Sequence, residues 1–163
     1  MATTPSTSAQ PLTDQELRAW RGLLRTHAML VKRLDAELEA AHGLPLTSYE
    51  VLLNLWHAEE AKMRMCDVAE SVLLSRSGLT RLVDRLERDG FVERVSCAAD
   101  ARGAYAKLTD AGRAKLEEAR GTHLAGVREH FLSNLAPQHL DALAEAWDRL
   151  GVACPTGSAC PTE

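Results

Sequence analysis

The stretch of sequence that decides the fold is residues 75–108, which read SRSGLTRLVDRLERDGFVERVSCAADARGAYAKL. Its first half places Leu79, Leu82, Val83 and Leu86 at the i, i+3, i+4, i+7 spacing of an amphipathic helix with one side toward a core. Such a helix suits DNA binding when its other side bears small residues and arginines. The small residues allow close approach to the DNA, and the arginines bind guanine edges or phosphates. An ordinary solvated helix is the alternative. The residues on that outer side are Ser77, Gly78, Thr80, Arg81, Asp84, Arg85 and Arg88.

The second half of this stretch has the two-residue period of β-strands. From Phe91 onward apolar and polar residues alternate, and they alternate again on the return toward Leu108. The connection contains Asp100 and Gly103, which are turn-forming residues. Residues 91–108 are therefore predicted to form a hairpin with a long tip that carries Arg102.

Two capping boxes predict where the helices before this stretch begin. Thr13 with Glu16 starts a helix that continues to about Ala41, and Thr47 with Glu50 starts a shorter one. A very short strand and a short helix are expected between them and the helix that Ser75 caps and Gly90 ends. The inward stripes are Leu17, Trp20, Leu24, His27, Val31, Leu34 and Leu38 in the first helix, and Val51, Leu52, Leu55 and Trp56 in the second.

Two more helices are predicted after the hairpin. Thr109 caps an alanine-rich helix that runs to about Asn134, and Pro137 opens the last one. The terminal helices carry more apolar surface than a small lobe can cover, so a homodimer with interleaved terminal helices is expected. The apolar seam of the last helix is Leu140, Leu143, Trp147 and Leu150.

The composition fits one soluble domain with flexible ends. A chain of 163 residues with 45% hydrophobic content can bury a real core. No run is long and apolar enough for a membrane span, and the first residues lack the pattern of a secretory signal, so a cytoplasmic protein without membrane contact is expected. Residues 1–11 are predicted to be a disordered arm and residues 151–163 a flexible tail.

The charge is unevenly distributed along the chain. The formal net charge is -4, yet residues 74–115 contain nine lysines and arginines against six acids. The segment is therefore basic, and the remainder is acidic by seven charges. A basic segment on an acidic body can direct one face of the protein toward phosphate.

The chain resembles the MarR family of bacterial transcriptional regulators over roughly residues 13–150. The resemblance rests on helix, wing and wing-exit helix in the family's order and spacing. Their sequences are LTRLVDRLE at 79–87, GFVER at 90–94, Asp100 with Arg102, and LTDAG at 108–112. The combination is highly specific, whereas each piece alone is weak.

The resemblance implies a mainly α fold with a small β-hairpin wing, in which residues 46–109 form a winged helix-turn-helix lobe and residues 12–44 and 110–150 form the dimerisation helices. It implies double-stranded DNA with a pseudo-palindromic site as the partner, because two-fold symmetry requires matching half-sites. By the family pattern Arg102 enters the minor groove and Asp100 orients it. Ala99 and Ala101 replace charges that relatives often carry, for which Arg88 and Arg94 are expected to compensate. The expected DNA-binding residues are Ser75, Arg76, Ser77, Thr80, Arg81, Arg85, Arg88, Arg94 and Arg102, with Asp84 paired to Arg81 or Arg88.

Family members often bind small aromatic or acidic molecules between the dimerisation helices and the DNA-binding lobe. Arginine can pair with a ligand carboxylate and tryptophan can stack on a ring. Each of these residues also fits ordinary packing or solvation, which is the alternative for any one of them. The candidates are Trp20, Arg21, Arg25, His27 and Trp56, with His57 beside them.

A redox response is a second hypothesis. Cys66 lies near the start of a short helix, whose dipole favours a thiolate, and Cys97 leads into the wing. The four cysteines form no CxxC pair, so a structural metal site is not expected. A zinc site from Glu39, His42, His123 and His130 is disfavoured, because His123 and His130 are seven residues apart.

The remaining function classes have less support in the sequence. No phosphate loop, nucleophile motif or helical His-carboxylate metal pattern is present, so neither an enzyme nor a cofactor is expected. A winged-helix module that binds proteins instead of DNA is permitted by the acidic total charge, whereas Arg81, Arg85 and Arg102 argue against it.

Overall fold

A computed structural model describes residues 10–72, 76–97 and 100–151, with side chains except at 76–77, 96–97 and 100–103. The predicted arm and tail lie outside these ranges, apart from residues 10, 11 and 151. The elements are α1 (Asp14–His42), α2 (Leu46–His57), β1 (Lys62–Arg64), α3 (Met65–Ser71), α4 (Arg76–Arg88), β2 (Val92–Cys97), β3 (Asp100–Leu108), α5 (Asp110–His130) and α6 (Pro137–Arg149). The predicted fold class, mainly α with a small β wing, is confirmed.

The starts of α1 and α2 are stabilised in different ways. The predicted box at α1 is confirmed, because the Glu16 amide donates to Thr13 Oγ1 at 3.3 Å and the Thr13 amide donates to Glu16 Oε2 at 2.7 Å. The predicted box at α2 is wrong, because that helix begins at Leu46 and its first amide donates to Asp35 Oδ1 at 2.8 Å. A carboxylate on α1 therefore takes the place of a local cap.

The core lies where α2, α3, α4 and the sheet meet the first half of α5. The predicted inner faces of α2 and α4 are confirmed, apart from Trp56, which is half-buried. The predicted stripe of α1 is wrong over its first half, because only its later residues Leu34 and Leu38 are buried. Trp20 is 53% exposed and Val31 is 41% exposed, so this part of α1 finds no core within its own chain.

The three strands form an antiparallel sheet in the order β1-β3-β2. Glu93 on β2 lies opposite Lys107 on β3, and the register shifts between Ser96 and Cys97. The predicted long tip is wrong, because β3 begins at Asp100 and includes Gly103. Ser96 lies opposite Ala104 and Cys97 lies opposite Asp100, so residues 101–103 are extra residues on β3 and the strand pair continues beyond them.

The base of the wing is joined tightly to the start of α5. Thr109 Oγ1 accepts from the Gly112 amide at 3.0 Å and donates to the Gly90 carbonyl at 2.7 Å. A Cβ on Gly112 would lie 2.1 Å from the Phe91 carbonyl oxygen, so only glycine fits there. The GFVER and LTDAG segments therefore pack directly against each other at the base of the wing.

The last helix contributes little to the core of its own chain. The predicted helix at Pro137 is confirmed as α6, but none of its residues is buried and Leu150 beyond it is 67% exposed. Within the described ranges, no helix has the combination of length and apolar content needed to span a bilayer.

Candidate nucleic-acid interface

Helix α4 presents an exposed polar side and a buried apolar side. Leu79, Leu82, Val83 and Leu86 are at most 6% exposed. Thr80, Arg81 and Arg88 are exposed, and neither arginine forms a hydrogen bond or ion pair with another described residue. Two guanidinium groups on one helix face are therefore available for phosphates or base edges.

Arg85 is on the same exposed side but has a partner inside the protein. Its Nη2 donates to Ser48 Oγ at 3.0 Å, and Ser48 is only 1% exposed. The bond links α4 to α2 across the core. Sequence reasoning missed Ser48, because a serine in a helical stripe gives no signal for a partner 37 residues away.

Arg94 on β2 binds two carboxylates of α4. It pairs with Asp84, and its Nη1 lies 2.6 Å from Glu87 Oε2. The hydrogen bond to Asp84 is the main cause that raises the pKa of Arg94. The predicted partner of Asp84, Arg81 or Arg88, was wrong, because the wing brings Arg94 to it. Arg94 thus fixes the wing against the helix, and this pairing competes with the phosphate contact expected of it.

The lower part of the wing is crosslinked by side chains. Lys107 Nζ lies 3.1 Å from Glu93 Oε1 across the β2–β3 pair. On the β1 side, Arg64 Nε lies 3.0 Å from Tyr105 Oη, and its guanidinium lies 5.6 Å from the Tyr105 ring centroid. Ser75 and the side chains of Arg76, Ser77, Cys97, Asp100 and Arg102 lie outside the described part of the chain.

The predicted ligand residues do not meet at one site. Arg21 and Arg25 line a cleft of about 450 Å³ on α1, whereas Trp56 lines a separate cavity of about 670 Å³. Trp20 is half-exposed and borders neither space. His27 acts on Glu50 and opposes the burial that raises the pKa of that carboxyl.

The cavity at Trp56 combines an aromatic ring with cationic side chains. It lies between the end of α2, the base of the sheet and the start of α5, and Lys107 and Arg113 line it together with the acids Glu60, Glu93 and Asp110. The Arg120 guanidinium lies 5.6 Å from the Trp56 ring centroid. The rim of the cavity includes Glu60 and Ala61, and both residues have φ above 50°, which is uncommon for residues other than glycine. Sequence reasoning missed Lys107 and Arg113, because only the fold brings them to Trp56.

The histidines considered for zinc have other partners. His42 Nε2 lies 2.7 Å from Thr122 Oγ1, and His130 pairs with Glu37. His123 stacks on Tyr49 with ring centroids 4.5 Å apart. The described residues contain no cluster of three or more His, Cys, Asp or Glu side chains that could hold a metal ion.

Cys66 is a free and exposed thiol at the start of α3. Its Sγ donates to Asp67 Oδ1 at 3.2 Å. It is therefore accessible to an oxidant.

Comparison with known proteins gives a consistent result. A family profile described as MarR family matches residues 42–103. The HTH-type transcriptional regulator YkoM of Bacillus subtilis is 31% identical over 142 residues, which cover 85% of this chain and 90% of YkoM. AbsC, a MarR family transcriptional regulator from Streptomyces coelicolor, is 36% identical, with a TM-score of 0.79 over 88% of this chain and 96% of AbsC. Sco3205 from the same organism, solved in complex with DNA, is 30% identical, with a TM-score of 0.81 over 89% of this chain and 91% of Sco3205.

Proposed function

Because the chain belongs to the MarR family of winged-helix, DNA-binding transcriptional regulators, we propose that it is a dimeric repressor that a small ligand releases from its operator. The observation that carries the proposal is the exposed side of α4, where Arg81 and Arg88 are unpaired among the described residues. A repressor acts where the DNA is, so a cytoplasmic location belongs to the proposal.

In this proposal α4 enters the major groove of each half-site. Thr80 and Arg81 contact bases or phosphates near the start of the helix, and Arg88 contacts phosphate farther along it. Arg102 enters the minor groove with the support of Asp100, as the family resemblance implies. The relative Sco3205, solved in complex with DNA, supports DNA as the partner. The remaining expected contacts are Ser75, Arg76, Ser77, Arg85 and Arg94.

The dimeric state is supported by apolar surface that one chain leaves exposed. Trp20, Leu24 and Val31 on α1 are each more than 40% exposed, and α6 has no buried residue. A two-fold dimer covers these surfaces and spaces two copies of α4 for a pseudo-palindromic site about one duplex turn, ~10 bp, between half-site centres.

The ligand in this proposal is a small aromatic acid, and its site is the cavity at Trp56. Trp56 offers a ring face and Arg113 offers charge to a carboxylate, while Lys107 is paired with Glu93 at the same cavity. The cavity touches both the wing base and the first turn of α5, so a ligand that binds one arrangement better than another shifts the distance between recognition helices. Trp20, Arg21, Arg25 and His27 remain candidates for a second contact region on α1.

Footprinting of the DNA that flanks the protein's own gene tests the proposal. We expect a protected palindrome at moderate salt, and weaker protection when an aromatic acid such as salicylate is added at millimolar concentration. Absence of any protected palindrome would contradict the repressor function. Trp56→Ala should abolish the effect of the acid without abolishing DNA binding, because it removes the stacking surface and lies outside α4 and the wing.

The wing contact has its own test in the salt dependence of binding. Arg102→Ala should weaken binding and reduce the slope of log K against log salt by about one, as expected for the loss of one cation near phosphate. Arg128→Ala on α5 is the matched control, since Arg128 is exposed and lies outside α4 and the wing. Equal slopes of log K against log salt for wild type and Arg102→Ala would show that Arg102 does not contact the DNA.

The exposed thiol of Cys66 favours oxidant control as a second candidate function. In that case peroxide should release the DNA, and Cys66→Ser combined with Cys97→Ser should abolish the response. Peroxide sensitivity that persists in the double variant would exclude both thiols as the sensor.

A further inference from the structure

Among the residues that the structure describes, the core contains a single buried polar side chain, that of Ser48. Ser48 is 1% exposed, and its neighbours Tyr49, Val51 and Leu52 on α2 are at most 2% exposed. A buried hydroxyl costs free energy unless it forms a hydrogen bond, and an alanine at this position would avoid that cost. The partner of the hydroxyl is Arg85, which lies on the helix expected to enter the major groove.

The backbone around Ser48 holds its hydroxyl at a fixed point. Ser48 lies in the first turn of α2, where its amide donates to the Pro45 carbonyl at 2.9 Å. The Leu46 amide donates to Asp35 Oδ1 at 2.8 Å, which fastens the same turn to α1. Ser48 therefore offers α4 a hydrogen-bond acceptor whose position is set by two other helices.

Arg85 can keep its bond to Ser48 and still contact DNA. It lies one turn after Arg81 on α4 and about 40° around the helix axis from it, so the two arginines are neighbours on the exposed side. Its Nη2 donates to Ser48 Oγ at 3.0 Å. A guanidinium has several N–H donors in a rigid plane, so one bond to Ser48 leaves the others for a phosphate or a guanine edge.

The bond to Ser48 removes part of the freedom that an arginine otherwise loses on binding. A long side chain that is mobile in the free protein must be ordered in a complex, and that ordering weakens affinity. Arg85 is already restricted before DNA arrives. Arg81 and Arg88 have no such partner among the described residues, so the DNA itself must order them.

We propose that Ser48 is a positioning residue for DNA binding, whose buried hydroxyl holds the Arg85 guanidinium in the orientation that the DNA contact requires. This inference rests on the DNA contact that the proposed function assigns to Arg85. It adds a residue of α2 that acts on DNA affinity through Arg85. It also accounts for a hydroxyl at a core position where an apolar residue would pack.

A double-mutant cycle in the full-length chain tests the proposal. The probe is a fluorescein-labelled duplex that carries the palindrome protected in footprinting. Ser48→Ala should raise the Kd for this duplex about 3- to 10-fold, which is the effect of having to order one long side chain on binding. In the Arg85→Ala background the same substitution should change the Kd by less than about twofold, because no guanidinium is left for Ser48 to hold.

Arg81→Ala provides the matched control background. Arg81 lies on the same side of α4 as Arg85, but Ser48 bonds to Arg85 alone of the two. Ser48→Ala should therefore keep its full effect in the Arg81→Ala background. If Ser48→Ala weakens binding equally in the Arg85→Ala background, Ser48 acts on the fold in general and the proposal is overturned. Unchanged or tighter binding of Ser48→Ala would overturn it as well.

The restriction of Arg85 can also be measured without replacing Ser48. In NMR spectra of the DNA-free protein, rotation about the Nε–Cζ bond should be slower for Arg85 than for Arg81. The spectra of Arg85→Ala and Arg81→Ala assign the two signals. Equally fast rotation would overturn the proposal even if Ser48→Ala does not fold. A wild type that binds no protected palindrome would instead contradict the proposed function, and the role of Ser48 in DNA binding would be lost with it.

Discussion

Four arginines on or beside α4 differ in what surrounds them. Arg81 and Arg88 are exposed without a partner among the described residues, Arg85 bonds to Ser48, and Arg94 holds Asp84 and Glu87. Arg81 and Arg88 can therefore bind DNA without breaking a contact within the protein. Arg85 and Arg94 instead help to fix the position of α4.

Replacing Arg94 should affect stability and DNA binding together. Arg94→Ala should lower the free energy of unfolding by about 1 kcal/mol, because its ion pairs are partly exposed and solvent screens them. That loss corresponds to a decrease in Tm of about 2–4 °C. DNA affinity should also fall, since Asp84 and Glu87 are then unneutralised beside the phosphates. Thermal melts and DNA titrations measure both effects.

The control for this prediction is Arg81→Ala, which removes the same charge from an unpaired position on α4. It should weaken DNA binding and leave Tm unchanged. If Arg94→Ala also leaves Tm unchanged, Arg94 does not fix the wing against α4.

At the scale of elements, the sequence predicted what depends on nearby residues. The apolar period of α4, its end at Gly90 and the capping box of α1 are local patterns, and all three are confirmed. The cap of α2 was missed because Asp35 belongs to another helix. The partner of Asp84 and the cationic side of the Trp56 cavity were missed for the same reason, since the fold alone brings them together.

Two glycines of α5 allow a paired test of the α1–α5 contact. A Cβ on Gly126 would lie 2.7 Å from Leu34 Cδ2 and 2.5 Å from Glu37 Oε2, whereas a Cβ on Gly121 would meet nothing within 4 Å. Gly121→Ala should therefore stabilise the protein by about 0.5–1 kcal/mol through helix propensity. Gly126→Ala should instead destabilise it by about 1–3 kcal/mol, because a buried leucine must move.

Chemical denaturation of the two variants provides the measurement. Opposite signs for the two substitutions are expected. A gain in stability for Gly126→Ala would show that the Leu34 and Glu37 side chains can move aside at no cost, and would exclude the close crossing as a determinant of the distance between α1 and α5.

At the scale of the whole molecule, α5 connects the lobe that carries α4 with the helices that lack a core. His123 on α5 lies at the contact with α2, where its ring stacks on Tyr49 and its buried Nδ1 has no hydrogen-bond partner. Burial lowers the pKa of the His123 imidazole, because a charged ring is poorly solvated there. The joint between the two parts of the molecule therefore favours the neutral ring.

The free energy of unfolding should consequently decrease as the pH falls. The unfolded chain protonates His123 below about pH 6.5, whereas the folded chain resists protonation, so stability is full above that pH and is lost as pH falls toward the lower folded pKa. Glu50, whose pKa burial raises, contributes with the opposite sign, as its stabilisation is lost with rising pH. Tm between pH 7.5 and 5.5 should fall more in wild type than in His123→Phe, which keeps the ring and Glu50. Parallel curves would exclude His123 as a source of the acid loss.

The joint at the wing base gives α5 a mechanical property. Its 21 residues form one rod about 30 Å long, anchored at one end by Thr109 and Gly112 and crossed near the other by α1. A rod of that length converts a tilt of about 5° at its anchored end into a displacement of about 3 Å at the far end. Small angular changes at the wing base are thus amplified as in a lever, with the tight Gly112 contact as the fulcrum.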